Sequence, residues 1–433
     1  MQHKALRLFL VILVSLTLGF KATAQNLTKS PYSIIAIGEM QFQGTSLQSG
    51  MGQVAQGVRR SSDINMLNPA SYSSLKYTVI DGGILYSQGT LSQGSNRSDI
   101  DNSSFSYFMF GVPVSLKHKM GLVFGLMPYS SMGYNVSSTA NYPYYTATTQ
   151  MVGTGGLSKF NIGFGAQVVK NISAGINISY LFGQLFTDLK LLIPSVYNNY
   201  NVNKTLNRVI SGAQIQGGVQ YHKDFELGLK KEKYAFTAGA SYTLGASLNG
   251  NQEQFVRTMP VGFTSLTRDT TYYGNNEKGT IELPYSLSIG AGWEKRDHWT
   301  VAADVHVTNW SAYRSTYRSF GRMDSLQNSL GFNIGGSYIP NATDYKNYFN
   351  RVEYRAGLKY DGGNVIWADK NISSFGFSLG MGMPLGKSKS KLNIAGEYYA
   401  RGTTANNLIK EEYFRIVLGL NFSDRWFQRY KYD

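Results

Sequence analysis

The sequence predicts an all-β fold, a fourteen-stranded antiparallel transmembrane β-barrel of a bacterial outer membrane. Apolar and polar residues alternate with a period of two through most of the chain after residue 76, as they do in half-buried strands. Tight and long connections follow one another between these segments, like the periplasmic turns and extracellular loops of such barrels. No stretch beyond residue 24 approaches the roughly 20 consecutive apolar residues that a membrane-spanning helix needs.

The first 24 residues have the features of a secretory signal peptide. Lys4 and Arg7 precede an apolar run over residues 8–20, and Ala22-Thr23-Ala24 fits a small-residue cleavage site. We therefore expect the mature protein to begin at Gln25. The apolar run is too short to favour an uncleaved membrane anchor.

The composition limits which stabilising sites and which kinds of binding partner the protein can have. The chain contains 47 Gly and 14% aromatic residues, but only 15% of its residues are charged and none is Cys. Disulfides and thiolate metal sites are thereby excluded. The formal net charge of +15 is spread over turns, loops and inward-facing positions rather than gathered in one stripe. This distribution favours anionic lipid headgroups or anionic solutes over nucleic acid.

Fourteen segments alternate clearly enough to be assigned as strands. In the ninth segment, for example, Val301, Val305 and Val307 face one side. Asp304 and His306 face the other side, about 7 Å apart. The predicted strands are 77–87, 104–116, 119–131, 157–169, 172–188, 207–222, 233–246, 279–294, 298–312, 326–339, 350–361, 371–384, 390–402 and 410–422.

The connections and the aromatic residues favour a membrane barrel over a soluble sandwich. Tight turns are predicted at 117–118, 170–171, 295–297 and 387–389, and long connections at 88–103, 132–156, 189–206, 247–278 and 313–325. The segments 223–232 and 340–349 are exceptions to this alternation. Three aromatic pairs share a face eight residues apart: Tyr234 and Tyr242, Tyr285 and Trp293, and Phe414 and Phe422. Eight tilted strand residues cover roughly 20 Å, close to the roughly 25 Å height of a lipid-facing band.

Residues 25–76 do not follow the strand pattern. A Gly-rich stretch over residues 49–60 is followed by Asn68-Pro69-Ala70, shortly before the first strand. From the residues alone, this segment is either a periplasmic tail or a plug in the lumen. A fourteen-stranded barrel encloses more space than its own side chains fill, which makes a plug physically attractive.

The layout resembles that of the FadL-type long-chain fatty acid transporter family, in particular its Bacteroidetes members. The resemblance is carried by Asn68-Pro69-Ala70, by the opening Ser30-Pro31-Tyr32-Ser33 and by the ending Asp424-Arg425-Trp426-Phe427. It implies a hatch inside the lumen, with Asn68, Pro69 and Ala70 as the hatch motif. The chain then divides into a signal peptide (1–24), a hatch segment (25–76) and the barrel (77–433).

The same resemblance implies a lateral gate in the third strand. Proline cannot donate to a strand ladder, and Pro128 stands where the third strand should still be paired. In the resembled family a kink at this place lets an apolar ligand leave through the wall. The expected gate residues are Pro128, Tyr129, Met132, Gly133 and Tyr134. The alternative is that Pro128 only ends the strand, and Pro113 and Pro284 are rival sites for a bulge.

Nothing in the sequence favours an enzyme. Gly376–Gly380 matches the Gly-x-Ser-x-Gly pattern, but it lies inside an alternating strand and not at a strand-to-helix turn. Asp304 and His306 share an inward face, yet no serine is placed to join them. We therefore expect no catalytic residue, no metal site and no cofactor.

These inferences lead to two functional hypotheses. The first is passive uptake of small hydrophobic molecules such as fatty acids, with hatch-gated or lateral release. The second is a non-transporting barrel subunit of an envelope secretion or assembly complex. The expected partners are outer-membrane lipid and either a hydrophobic small molecule or envelope-complex proteins. Apolar residues lining the upper lumen would favour transport, and a hatch sealing a dry lumen would favour a scaffold.

Overall fold

The computed structural model describes residues 28–193, 200–228, 231–261, 267–317, 326–344, 346–386 and 388–426. The predicted signal peptide lies outside these ranges. Within them, no helix is both long and apolar enough to cross a membrane.

Strands make up most of the described chain. They are β1 (Glu39–Met40), β2 (Thr78–Gln93), β3 (Asn96–Ser115), β4 (Met120–Asn141), β5 (Thr146–Val169), β6 (Ile172–Leu192), β7 (Tyr200–Leu227), β8 (Glu232–Thr243), β9 (Ala246–Pro260), β10 (Asp269–Leu283), β11 (Ser286–Lys295), β12 (Trp299–Thr308), β13 (Arg314–Ser315), β14 (Ser329–Tyr338), β15 (Glu353–Asp361), β16 (Ile366–Trp367), β17 (Lys370–Asn371), β18 (Ser374–Pro384), β19 (Lys391–Arg401) and β20 (Lys410–Asp424). Short helical turns cover Pro31–Ile34, Ser46–Ser49, Pro69–Ser74, Trp310–Ala312, Tyr348–Arg351 and Ala405–Asn407.

The antiparallel pairing closes on itself. β2 pairs with β20 from Thr78↔Asp424 to Ser92↔Lys410, so the first and last wall strands are neighbours. β8 and β9 form one wall strand interrupted at 244–245, and β10 and β11 form the next, interrupted at Pro284. Counted in this way, the wall has fourteen strands. The predicted fold class is confirmed.

Several predicted long loops are in fact continuations of strands. β3 begins at Asn96, directly after the turn that ends β2, and β7 alone extends over 28 residues. The connections expected at 88–103 and 132–156 are therefore tall hairpins with short tips. The apolar alternation stops where the strands leave the hydrocarbon, and this is why the sequence pattern places their ends too early.

The outward face is apolar. Val305 is 41% exposed, and its neighbours across the ladder are Ile289 and Phe332. At one edge of the band, Tyr242 and Tyr285 have ring centroids 5.8 Å apart. Near the other edge, Trp293 packs edge-on against Phe225 and Phe236, and Tyr234 against Trp299. Such aromatic girdles flank the lipid-facing band of outer-membrane barrels.

Candidate functional site: hatch and wall seam

Residues 28–76 lie inside the barrel and are largely buried against the wall. Wall glycines allow the two backbones to meet. A Cβ added at Gly292 would collide with the Gly57 carbonyl oxygen, and one at Gly335 would collide with that of Met51. Gly52 has φ +64°, a left-handed conformation that favours glycine. Close backbone packing therefore fixes the position of the segment, which we call the hatch.

The Asn68-Pro69-Ala70 motif joins the hatch to two wall strands. The Asn68 side chain is fully buried, and its oxygen accepts from the Ala70 backbone N–H at 3.1 Å. This bond caps the helical turn Pro69–Ser74, with proline at its first position. The Asn68 amide group donates to the carbonyls of Val219 on β7 and Ala240 on β8. The motif thus acts as a structural joint between hatch and wall.

Asp304 holds the middle of the hatch. Its carboxylate accepts the backbone N–H groups of Ala55 and Gln56, at 2.5 and 3.0 Å. Charge-assisted bonds of this kind are stronger than neutral ones. Ser378, the serine of the Gly-x-Ser-x-Gly pattern, lies within β18 and accepts from the Gly52 N–H at 2.8 Å. Both side chains therefore take part in anchoring the hatch.

A buried ionic cluster fastens the hatch at the end of the barrel that has the short turns. Arg60 of the hatch lies 2.6 Å from the Glu353 carboxylate. Arg355 and Lys391 reach the same carboxylate at 2.9 and 3.1 Å. Breaking such a buried group of charges is costly, because the remaining charge stays desolvated.

A second charged cluster lies at the opposite end. Glu39 on β1 is 3.7 Å from Arg401 and 3.8 Å from Arg415. Nearby, the Ser30 hydroxyl donates to the buried Glu411 carboxylate at 2.5 Å, and the Tyr32 hydroxyl donates to the carbonyl of Ile409, just before β20. The hatch is thus attached to the wall through charges at both ends.

The wall contains a seam between β3 and β4. Their ladder runs from Ser115↔Met120 to Phe108↔Leu126 and then stops, although both strands continue for more than ten residues. Over that length, and among the residues that the structure describes, β3 pairs only with β2, and β4 pairs with β5. Between β4 and β5 the register shifts between Pro128 and Ser130. Pro128 thus lies just beyond the point where the seam opens.

A piece of the hatch fills the start of this seam. β1 pairs with the free edge of β4, with Glu39 opposite Ser131 and Met40 opposite Ser130. The Gln41 N–H donates to the Tyr129 carbonyl at 3.0 Å, and the Gln43 side chain donates to that of Pro128 at 2.8 Å. Backbone groups that β3 leaves unpaired are therefore satisfied by the hatch.

The other expected gate residues lie behind this contact. Tyr129, Met132 and Tyr134 are buried in an apolar cluster with wall residues that include Leu181, and the Gly133 N–H donates to the Ser33 hydroxyl at 3.0 Å. The remaining members of the cluster are Ile37, Leu157, Leu185, Ile210, Ala246, Leu248, Ile281, Leu283, Trp310, Tyr313 and Tyr317. The upper lumen is therefore apolar.

Between the hatch and the wall lies a cavity of about 440 Å³, which polar and apolar side chains line together. Gln214, Gln216, Ser288, His306 and Lys359 are among the residues that line it. The described lumen thus combines an apolar upper cluster with a cavity of mixed polar and apolar lining.

Comparison with known proteins identifies the family. The family model BamG matches residues 5–433. The chain belongs to the BamG family. No curated protein matches the sequence.

Solved structures share the fold of this BamG-family chain. A Pseudomonas aeruginosa FadL homologue superposes with a TM-score of 0.59 at 13% identity, over 89% of this chain and 99% of its own. The Ralstonia pickettii toluene transporter TbuX gives 0.54 at 11%, over 89% and 99%. The Pseudomonas putida toluene transporter TodX gives 0.53 at 15%, over 90% and 100%. The predicted FadL-type barrel is confirmed, although the family model carries a different name.

The residues that anchor the hatch of this BamG-family barrel were not recognised as anchors from the sequence. Arg60, Glu353 and Arg415 each lie close to other charged residues in the sequence, and nothing local marks them as partners of distant segments. Asp304 was singled out, but for its proximity to His306 and not for the hatch amides that it binds. Asp304 is the one formally charged residue on the inward face of its strand, and that isolation is the sequence signal that could have marked it as an anchor.

Proposed function

We propose that the protein is an outer-membrane channel for passive uptake of small hydrophobic molecules, which leave the lumen sideways through the seam between β3 and β4. The observation that carries the proposal is the end of the β3–β4 ladder at Phe108↔Leu126. The apolar cluster of the upper lumen, which contains Tyr129, Met132 and Tyr134, lies beside this opening. Two solved barrels of the same fold are toluene transporters, which supports this class of ligand.

The proposed route avoids the axis of the barrel. The hatch blocks the axial path with hydrogen bonds and ion pairs on several sides. In hydrocarbon an unpaired backbone group costs several kcal/mol, so the seam stays closed while Glu39 and Met40 cover the edge of β4. Withdrawal of β1 toward the lumen would open the wall next to Phe42, Phe105 and Pro128, which line one small recess. An apolar ligand would then enter the bilayer directly.

A reversible crosslink tests this route. Met40 and Ser130 are directly paired, and opposite residues in an antiparallel pair lie at about 4.5–5.5 Å between Cα atoms, within reach of a disulfide. The chain has no native Cys, so Met40→Cys with Ser130→Cys gives a single defined bridge. We expect uptake of labelled toluene and oleate into cells to be lost on oxidation and restored by dithiothreitol.

The two single-Cys variants are the controls and should take up both probes in either redox state. Folding of the bridged protein is checked by heat-modifiable migration in gels. If the fully oxidised double variant folds and still takes up both probes at the rate of the single variants, lateral release past β1 is wrong.

A second function, a barrel subunit of an envelope assembly or secretion complex, is supported by the family name BamG. The many hydrogen bonds and ion pairs between the hatch and the wall also support this second function, because a hatch that gates transport has to move and these contacts oppose its movement. The same bridged variant separates the two functions. If the oxidised form, blocked in uptake, fully restores growth and envelope integrity to a deletion strain, the complex-subunit function is favoured. If restoration requires dithiothreitol, transport is favoured.

A further inference from the structure

The upper part of β4 has a free edge beyond the seam. Above Tyr134, residues 135–141 pair with β5 on one side. On the other side, within the described residues, neither β3 nor the hatch pairs with them. Nearly all of these residues are exposed. A row of backbone donors and acceptors therefore faces the seam.

The groups on this edge can be identified from the ladder. At the hairpin tip, the Tyr142 N–H donates to the Tyr145 carbonyl. Because hydrogen-bonded and non-hydrogen-bonded pairs alternate along an antiparallel ladder, the even-numbered residues of β4 below Tyr142 form their backbone hydrogen bonds with β5. The backbone N–H and C=O groups of the odd-numbered residues then point away from β5, toward the seam. Two odd-numbered residues lower on β4 follow the same rule. The Gly133 N–H donates to Ser33, and the Tyr129 carbonyl accepts from the Gln41 N–H, so both bond the hatch and not β5.

The edge lacks the usual protection against strand pairing. Natural edges are protected by charges, prolines or bulges. The facing part of β3 carries Arg97, Asp99 and Asp101, whereas residues 135–141 contain no charge and no proline. The register shift between β4 and β5 lies lower on β4, between Pro128 and Ser130, so residues 135–141 themselves contain no bulge. Of the two edges at the seam, β4 is the one open to another strand.

The structure contains a precedent for strand addition at this edge. β1 already adds two residues to β4 in antiparallel register just below it. The hairpin tip above it presents aromatic rings, with Tyr142 and Tyr145 stacked at 4.8 Å and Tyr144 89% exposed. Tyrosine is enriched at protein interfaces because it contributes a large contact area at low entropic cost.

We propose that the edge of β4 over residues 135–141 binds one extended, uncharged segment of a partner protein as an added β-strand, with the tyrosines of the tip as side-chain anchors. Backbone bonds supply the affinity in this mode of recognition, and alternate side chains supply the specificity. An uncharged segment fits because residues 128–158 contain no charged residue. This inference does not depend on whether the lumen transports a ligand.

The test uses Ser137→Pro in the full-length protein. Because Ser137 is odd-numbered, this change removes an N–H group that faces the seam and leaves the hydrogen bonds between β4 and β5 intact. Ser137→Ala is the matched control. Hydrogen exchange is measured by mass spectrometry in native outer-membrane vesicles and in purified protein in detergent. We expect the amides of Asn135, Ser137, Thr139 and Asn141 to exchange at least tenfold more slowly in vesicles. Ser137→Pro should abolish that slowing at the remaining amides, and Ser137→Ala should retain it.

The even-numbered amides of β4 bond β5, so their protection from exchange in Ser137→Pro shows whether the hairpin is intact. If these amides lose protection in that variant, Thr139→Pro is used in its place. A photoreactive residue at Ser137 should also give an adduct in cells that a protease removes. Equal exchange in vesicles and in detergent would overturn the proposal. So would slowing that survives both proline variants, or an adduct that resists protease, which would indicate a surface glycan.

Discussion

Replacing Arg60 with Met should loosen one end of the hatch without unpairing a charge in the wall. Arg60 reaches Glu353 at 2.6 Å and donates to the Ser337 hydroxyl at 3.2 Å. Glu353 keeps Arg355 at 2.9 Å and Lys391 at 3.1 Å, so its carboxylate remains neutralised. Methionine preserves much of the apolar stem of arginine. The loss should therefore fall mainly on the contact between hatch and wall.

The magnitude follows from the contacts that are lost. A hydrogen bond to a charged group contributes about 1.5–3 kcal/mol. Taking about 2 kcal/mol for the contact of Arg60 with Glu353, the population of hatches detached at this end should rise roughly 30-fold, because 1.4 kcal/mol corresponds to a factor of ten. Asp304 still holds the middle of the hatch, so complete release should remain rare.

Two assays measure this effect. Limited proteolysis should cut within the hatch faster in Arg60→Met than in the wild type, and single-channel recordings in planar bilayers should show more frequent openings. Lys391→Met is the matched control, since it removes a cation from the same carboxylate but leaves the hatch contact in place. Equal proteolysis and equal opening frequency in Arg60→Met and Lys391→Met would refute the role of Arg60 as a hatch anchor.

Three further predictions concern the wall and the hatch. Val305→Arg on the lipid-facing side should cost about 2–4 kcal/mol near the midplane, whereas Thr308→Arg should be mild; equal refolding yields in bilayers would contradict this orientation. Deletion of residues 28–76 should raise single-channel conductance, and unchanged conductance would mean that the hatch does not block the pore. Asp304→Ala should speed amide exchange at Ala55 and Gln56, and unaltered exchange there would rule out the carboxylate as their anchor.

The lipid-facing half of the fold was predictable from the sequence, because hydrocarbon imposes a simple rule on every second residue. Val305 and Trp293 were assigned to the outward face, and they are exposed there. The strand ends were not predictable in the same way. Near the hairpin tip, over 137–141 of β4 and 146–150 of β5, small and mostly polar residues occupy both faces, so the alternation that identifies a strand disappears while the ladder continues.

The hatch contacts are harder to predict because each joins distant parts of the chain. Asp304 binds the Ala55 amide, 249 positions away, and no local pattern encodes that pairing. The glycines have the same limitation. Gly292 allows the Gly57 backbone to approach, but in the sequence it is one of 47 glycines. Such positions become recognisable only when the facing backbone is known.

Pro128 illustrates how far a single residue can guide an interpretation. It indicated an irregularity in the strand, and the β4–β5 register does shift between Pro128 and Ser130. The opening itself, however, lies between β3 and β4 and begins where Phe108 pairs with Leu126. It arises from pairing that is absent on the other side of β4, and a proline within β4 does not reveal which neighbour is lost.

The hatch and the seam are best understood as one structural unit. An open wall at membrane level would leave backbone groups of β4 unpaired in hydrocarbon, and Glu39 and Met40 remove that cost by pairing with Ser131 and Ser130. We therefore propose that the hatch closes both the axis and the wall with the same segment. If β1 moves, both barriers change together; if it never moves, the barrel is a sealed scaffold. We therefore expect the mobility of Glu39 and Met40 relative to β4 to distinguish the two proposed functions.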